Sequence, residues 1–579
     1  MCWLATRLLE PKLDFKRLHA PIMHIAGIPI DSEAENEAKA IWDRIGAMTK
    51  PAQQTPIPSL SDRQQLFARL AQSATFDIAV IGGGATGLGV ALDAAMRGLQ
   101  VVLVESHDFA KGTSSRATKL LHGGVRYLAQ GNISLVYEAL HERTTLMRNA
   151  PHLAQPLAFV MPSYKFWEKP FYGIGLKIYD ALAGKAGLGD TQFLSAGEAV
   201  AAIPNVKQNS LRGGVKYWDG QFDDARLALA IARTAAQRGA LILNYCSATS
   251  LIHTDGKVAG VICKDIETGK DYTINARCVV NATGVWVDNF REQDGAANGR
   301  LVKPMIARSQ GVHIIVDREF LGGDHALMVP KTADGRVLFA VPWMGKVILG
   351  TTDTPRKDLA REPQAFAQEI EFILSESARY LTKAPKLSDI KSIWVGLRPL
   401  VKPQDDEGGG STKAISREHT VLVSKSGLVS VTGGKWTTYR AMAEDVLQHC
   451  FDHQLLPTSA AGVTEHLALV GAMGNASKQS ISQSPGLHLY GAEADFVASM
   501  EDHELEITPG FTGAMVRFAA RYEYARTVED ILARRSRLLF LDARLAIGAA
   551  PHVARVLQEE IGIDPQLHQF ESLATRYLP

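Results

Sequence analysis

One short stretch constrains this chain more than any other. Phe76 to Ile81 (FDIAVI) is an apolar, β-branched run that leads directly into Gly82-Gly83-Gly84-Ala85-Thr86-Gly87. A helical pattern follows from about Thr86 to Arg97, and a second apolar run covers Leu99–Glu105. Strand, helix and strand in that order make a βαβ unit, which implies a parallel sheet covered on both faces. The glycines at 82, 84 and 87 have G-x-G-x-x-G spacing. The first permits a tight turn, the second lets a pyrophosphate approach the backbone, and the third lets the helix pack close to the strand. The helix N-terminus offers free N–H groups and a partial positive charge to phosphates. Glu105 ends the second strand, where an acid accepts from a ribose hydroxyl and repels a 2′-phosphate, which argues against NADP. A glycine-rich turn without a ligand is the bland alternative. The strand, helix and acid favour a bound dinucleotide, with FAD and NAD both still open.

At 579 residues the chain is too long for one ordinary core, and two to four domains are expected. It carries 62 Lys+Arg against 61 Asp+Glu, which gives no electrostatic case for nucleic acid. The five cysteines (Cys2, Cys246, Cys263, Cys278 and Cys450) include no C-x-x-C pair, so neither a zinc site nor a disulfide framework is expected, and no metal is assigned. No run of about 18 apolar residues suggests a transmembrane helix. The first thirty residues are basic but hold Glu10 and Asp14 and lack a clean apolar core. They do not read as a secretory signal, while an organellar transit peptide stays open.

Residues 1–74 read as an add-on of unknown function: a helix from Ser32 to Met48, capped by Asp31 or Ser32, then a linker (Lys50 to Leu60) with prolines at 51, 56 and 58. Further along, 225–239 predicts a helix stopped by Gly239, and short strands follow at 241–245, 258–265 and 271–280. Arg336–Val341 and Val347–Gly350 read as antiparallel strands joined at Trp343–Lys346, and Asp405–Ser411 as a flexible loop. The pattern turns helical after about residue 450. Residues 527–545 predict a helix opened by a Thr527/Asp530 pair at capping-box spacing.

Thr113 to Tyr127 reads TSSRATKLLHGGVRY. It resembles the flavin-contacting segment of the FAD-dependent glycerol-3-phosphate dehydrogenases. Further matches follow in the same order: Asn281-Ala282-Thr283-Gly284, Asp334-Gly335-Arg336 through Pro342-Trp343, Gly350 to Thr354, Gly396-Leu397-Arg398-Pro399-Leu400, Gly433 to Arg440, and Val528 to Asp542. The resemblance covers about residues 75–545. It implies an α/β fold, with a Rossmann-like FAD-binding domain, an antiparallel-sheet substrate domain and a C-terminal α-helical domain. On this chain that gives an oxidoreductase region over 75–445 and a helical domain over 446–579. The cofactor parts are expected at about 75–150, 210–300 and 395–445, and the substrate parts at 151–209 and 301–394. Thr118 stands where serine is common and Trp436 where leucine is common. No family counterpart of the front 74 residues is recognised. No calcium loop of the type carried by the animal mitochondrial members is visible, so a bacterial-type enzyme is expected.

The resemblance implies oxidation of sn-glycerol 3-phosphate to dihydroxyacetone phosphate, with FAD taking the hydride and a membrane quinone taking the electrons. The alternatives are an oxidase using oxygen and a flavin-binding regulatory protein without activity. A cytoplasmic protein, peripheral on the inner face of the membrane, is expected, with a homo-oligomer left open. A dianionic phosphate favours arginine, whose guanidinium binds it in a bidentate way. By resemblance the phosphate partners are Arg126, Arg398 and Arg417, with Tyr127 donating a hydrogen bond to substrate. The base should titrate near neutrality, which favours histidine. His122 and His313 are the candidates, and the choice between them is open. Lys435, after two glycines, is placed to stabilise negative charge on the reduced flavin. The cofactor set is Gly82, Gly84, Gly87, Glu105, Thr113, Ser114, Ser115, Thr118, Lys119, Leu120, Thr283, Gly284, Gly433, Gly434, Lys435 and Thr437. Near the C-terminus, Arg534, Arg535, Arg537 and Arg544 admit two readings: a basic amphipathic face on anionic lipid, or an ordinary packed helix with its arginines in solvent. The second is favoured.

Overall fold

The computed structural model describes residues 59–579 except 129–131, 334, 403–418, 459–463 and 474–478. The expected helix at Ser32–Met48 and the Asp405–Ser411 loop lie outside the described residues. Ser59–Pro579 forms one compact unit, built around two sheets.

The first sheet grows from the βαβ unit. Strand Phe76–Ile81 pairs in parallel with Val101–Val104 on one side and Asp271–Asn281 on the other. Leu241–Leu243 and Leu428–Gly433 extend it in parallel, and His419–Val423 closes the edge antiparallel. The continuous apolar runs of its central strands are buried on both faces, as a parallel sheet requires. Helix Ala85–Met96 packs between Asp224–Gln237 and Tyr439–Asp452. Helix Asp224–Gln237 starts where the Asp223 side chain accepts from the N–H groups of Ala225 and Arg226. It ends before Gly239, which adopts φ +94°.

The second sheet is mostly antiparallel. Its long strands are Ile306–Asp317, Ser392–Val401, Ala154–Ser163 and Gly213–Phe222. The last lies in a stretch assigned from the sequence to the cofactor part, and so does most of Ser392–Val401. Both belong to the substrate-side sheet, because Gly213–Phe222 pairs along its length with Ala154–Ser163 and Ser392–Val401 with Ile306–Asp317. The pairing of 306–317 with 392–401 sets His313 opposite Trp394 and Ser309 opposite Arg398.

The front segment needs correction. Its last part, Arg63–Gln72, is a helix capped by Asp62, and Leu66, Phe67 and Leu70 are buried in the main core. Arg63 also donates to the carbonyls of Asn244 and Tyr245 and pairs with Asp265. The compact unit therefore begins at Ser59 rather than 75.

The arginine-rich tail departs from both expectations. Thr527 and Asp530 do cap each other: the Thr527 hydroxyl accepts the Asp530 N–H at 3.2 Å and an Asp530 carboxylate oxygen accepts the Thr527 N–H at 2.9 Å. The helix does not continue, however. A π-helical turn covers Asp530–Arg535, Arg537 sits at φ +64°, and separate helices follow at Leu538–Leu541 and Ala543–Ile561. Arg534, Arg535 and Arg537 are buried, at 2%, 2% and 0% exposure. Arg534 and Arg535 share Asp108, and Arg537 reaches Asp224 at 3.1 Å. These arginines bind the tail to the cofactor domain; Arg544 alone of the four is exposed.

Candidate active site

A cavity of about 510 Å³ runs along the junction of the two sheets. Ser247, Thr249, Asn289 and Gln293 line it, and so do His122, His313, Arg398 and Lys435. Gly82, Gly84, Glu105, Thr113, Ser114, Thr118, Leu120, Thr283, Gly284, Gly433, Gly434 and Thr437 also line it.

The glycine turn is built as its spacing predicts. Gly82 donates to the Val104 carbonyl at 2.9 Å, and a Cβ at Gly87 would stand 1.9 Å from the Gly82 oxygen. Gly87 therefore packs helix on strand and does not line the cavity. Glu105 accepts the Gly83 N–H at 2.7 Å, which holds its carboxylate beside the turn. Ser114 accepts the Ala85 N–H at 2.9 Å at the helix N-terminus. Thr113 donates to the Leu397 carbonyl at 2.7 Å, and the Trp436 indole N–H donates to the Ser114 carbonyl at 2.8 Å. Three sequence-distant motifs are thus tied around one cavity. Gly433 and Gly434 take φ +81° and +73°, a consecutive pair that only glycine adopts without strain.

Besides Gly87, two residues of the expected cofactor set lie off the cavity. Ser115 is buried, and its carbonyl accepts from Lys119 at 2.6 Å and from Arg537 at 2.9 Å. Lys119 is fully buried, 2.7 Å from Asp224 and 4.6 Å from the Trp394 ring centre. Burial pushes its ammonium down to about 7, against the pull of Asp224. Neither lines the cavity; both brace its wall.

His313 and Arg398 have definite geometry. The Thr118 hydroxyl is 2.9 Å from His313 Nε2, and the imidazole stacks on Trp394 at 4.1 Å. Burial, with Arg398 and Lys119 nearby, holds His313 well below the usual histidine range. Arg398 is 24% exposed at its side chain, donates to the Thr352 carbonyl at 3.0 Å and to the Thr351 hydroxyl at 3.1 Å, and pairs with Asp353 at 3.2 Å. Gly311 makes room for it, since a Cβ there would stand 2.4 Å from its Nη2. His122 is half-buried in the cavity wall. Arg126 and Tyr127 lie in helix Val125–Leu128, three residues on from His122, but their side chains lie outside the described set; Arg417 lies outside the described residues. Sequence reasoning missed Trp394, Gly311, Trp286 and Arg361. Arg361 covers the Trp286 ring at 4.7 Å at the cavity wall. No spacing signal marks any of them.

A Rossmann-like turn with an acid at its second strand, a glycine-lined groove and a second sheet closing the far end define an FAD-dependent oxidoreductase. Residues 77–440 match the FAD dependent oxidoreductase family, and 462–567 match the C-terminal domain of alpha-glycerophosphate oxidase. A glycerol-3-phosphate dehydrogenase from Bacillus halodurans, solved with FAD, superposes with a TM-score of 0.71 at 29% identity, over 90% of this chain and 98% of that one. The chain belongs to the FAD-dependent glycerol-3-phosphate dehydrogenase family. It is 41% identical to the probable mitochondrial enzyme of Caenorhabditis elegans over 90% of this chain and 75% of that protein. It is 39% identical to the mitochondrial enzyme of Mus musculus over 93% of this chain and 77% of that protein. A match over 93% is more than residues 75–579 alone amount to, so part of the front segment has a counterpart after all. The resemblance also extends to mitochondrial relatives and is not confined to a bacterial type.

Proposed function

We propose that this protein oxidises sn-glycerol 3-phosphate to dihydroxyacetone phosphate and passes the electrons to a membrane quinone. The observation that carries the reading is that Arg398, His122 and Lys435 line the same cavity as the dinucleotide turn. When bound, FAD supplies the hydride acceptor. Arg398 binds the substrate phosphate, with Arg126 and Arg417 as the further partners implied by resemblance and Tyr127 donating to a substrate oxygen. His122 takes the hydroxyl proton. His313 is the poorer base, because its surroundings penalise its protonated form. Lys435 places positive charge where negative charge develops. Glu105 accepts from the ribose, and Gly84, Thr113, Ser114, Thr283 and Thr437 line the cofactor's path.

Oxygen as acceptor is the second reading, supported by the name of the family matched at 462–567. We place the protein at a membrane surface as a peripheral protein; among the described residues no helix is long and apolar enough to cross a membrane. Anaerobic mixing with glycerol 3-phosphate should bleach the flavin band, and persistent colour in FAD-loaded protein sinks the substrate reading. Reoxidation faster with a soluble quinone than with oxygen is expected; the reverse order assigns an oxidase.

A further inference from the structure

Helix Glu168–Ala183 (EKPFYGIGLKIYDALA) is apolar on two opposite sides. Its inner side buries Tyr179 and Ala183 against Val136 and Leu140 of helix Ile133–Asn149. Its outer side leaves Phe171, Ile174 and Ile178 exposed at 66%, 61% and 49%, with Trp167 just ahead of the helix at 43%. Steps of four, three and four residues place these four on one stripe. Phe166 and Phe193 are exposed beside it, and the neighbouring helix adds Ile133 and Tyr137. Half of the sixteen large apolar side chains exposed among the described residues fall in this one region. Apolar residues scattered singly over a surface need no explanation, whereas a contiguous patch marks an interaction site.

The rim of the patch indicates its occupant. Lys165 lies over the Trp167 ring at 5.8 Å and Lys177 over Phe193 at 5.5 Å, so their stems run along apolar surface with the ammonium groups at the edge. Lys169 and Lys185 add charge along the same helix and just past its end. The acids of the segment are engaged with backbone: Glu168 accepts from Tyr164 and Lys165 N–H, and Asp180 from Thr191 N–H. Aromatic and aliphatic wedges rimmed by lysine fit an anionic lipid surface. With 16 residues the helix is short of the roughly 20 needed to span, so it would lie in the plane of the interface. Its inner side also meets the active site. The Tyr179 hydroxyl accepts the Gly123 N–H at 2.7 Å and donates to Asp219 at 2.9 Å, and Gly123 follows His122 directly.

We propose that helix Glu168–Ala183, led by Trp167, seats flat in an anionic bilayer surface, and that this face is where a membrane acceptor approaches the cavity wall that holds His122. The approach of an acceptor rests on the quinone reading; the lipid seat does not. The test is sedimentation of the FAD-loaded full chain with vesicles of phosphatidylcholine containing about a third phosphatidylglycerol. The variant Phe171→Ser/Ile174→Ser/Ile178→Ser should lower the vesicle partition coefficient by about a hundredfold, while flavin bleaching by glycerol 3-phosphate in lipid-free solution stays unchanged. Should that variant fold poorly, Lys165→Glu/Lys177→Glu/Lys185→Glu serves instead, and binding should then fall most at low salt. Wild-type protein that ignores the vesicles, or variants that bind as wild type does, overturn the proposal. So does a triple variant that only loses self-association, which would make the patch an interface between copies of this chain. Absence of bleaching in the wild type counts against the substrate and leaves the vesicle result standing.

Discussion

Thr118 and His313 form a fixed pair: the threonine hydroxyl meets Nε2 at 2.9 Å while Trp394 stacks on the ring at 4.1 Å. The pair orients an imidazole that its surroundings keep neutral, since burial, Arg398 and Lys119 all disfavour its proton. His313 should therefore leave no trace in the pH dependence of kcat/KM. His313→Asn is expected to keep the wild-type pH profile, whereas His122→Asn should change it and lower the rate by about 10²- to 10⁴-fold. A changed pH profile in His313→Asn with an unchanged one in His122→Asn would transfer the base to His313.

Arg398→Lys keeps the charge and loses the bidentate fork. Removing one hydrogen bond to a charged group costs roughly 1.5–3 kcal/mol, or about ten- to a hundredfold in substrate affinity. FAD content should hold, and the poor turnover of glycerol, which has no phosphate, should hardly change. Equal losses for both substrates would mean that Arg398 acts through its bonds to Thr351, Thr352 and Asp353.

The two later glycines of the turn should fail differently. At Gly84 the nearest atom to a new Cβ is the Ser114 hydroxyl at 3.1 Å, so Gly84→Val should fold but purify largely colourless. At Gly87 a Cβ would collide with the Gly82 carbonyl, so even Gly87→Ala should lower the melting temperature of the apoprotein. Yellow Gly84→Val protein at normal FAD content refutes the placement of the cofactor.

Asp108 is wholly buried between Arg534 and Arg535. Asp108→Asn strands buried guanidinium charge, and breaking such a pair costs about 3–5 kcal/mol. Denaturant unfolding should register that loss, with vesicle binding unaffected. A fall in vesicle binding at unchanged stability would revive the lipid reading of the tail.

His152 is buried near Arg226 and Arg233, and burial first, then these charges, lower its pKa from 6.5 to about 3. Above pH 6.5 both folded and unfolded chains hold it neutral, and it contributes nothing. As pH falls below that, the unfolded chain takes up a proton that the folded chain refuses. Stability is then lost at up to about 1.4 kcal/mol per pH unit until the folded value is reached. Melting curves taken below neutrality should fall less steeply for His152→Gln than for the wild type. Parallel slopes would show that the histidine is protonated in the fold.

The sequence alone determined whatever is local. The Gly82–Gly87 turn, its flanking strands and the acid at 105 are legible because turn, helix start and strand-ending acid are all encoded within thirty residues. The Thr527/Asp530 cap is legible for the same reason. What required the tertiary structure is pairing between distant segments. Arg534, Arg535 and Arg537 read as surface charge until Asp108 and Asp224, some three to four hundred residues earlier, fold against them. Lys119 looks like a flavin neighbour until Asp224 and Trp394 enclose it. Leu66, Phe67 and Leu70 look like part of a loose extension, although they complete the main core. A charge or an apolar side chain has no intrinsic place in a fold. Its place depends on whether a partner far along the chain compensates its burial, and only the folded chain supplies that partner.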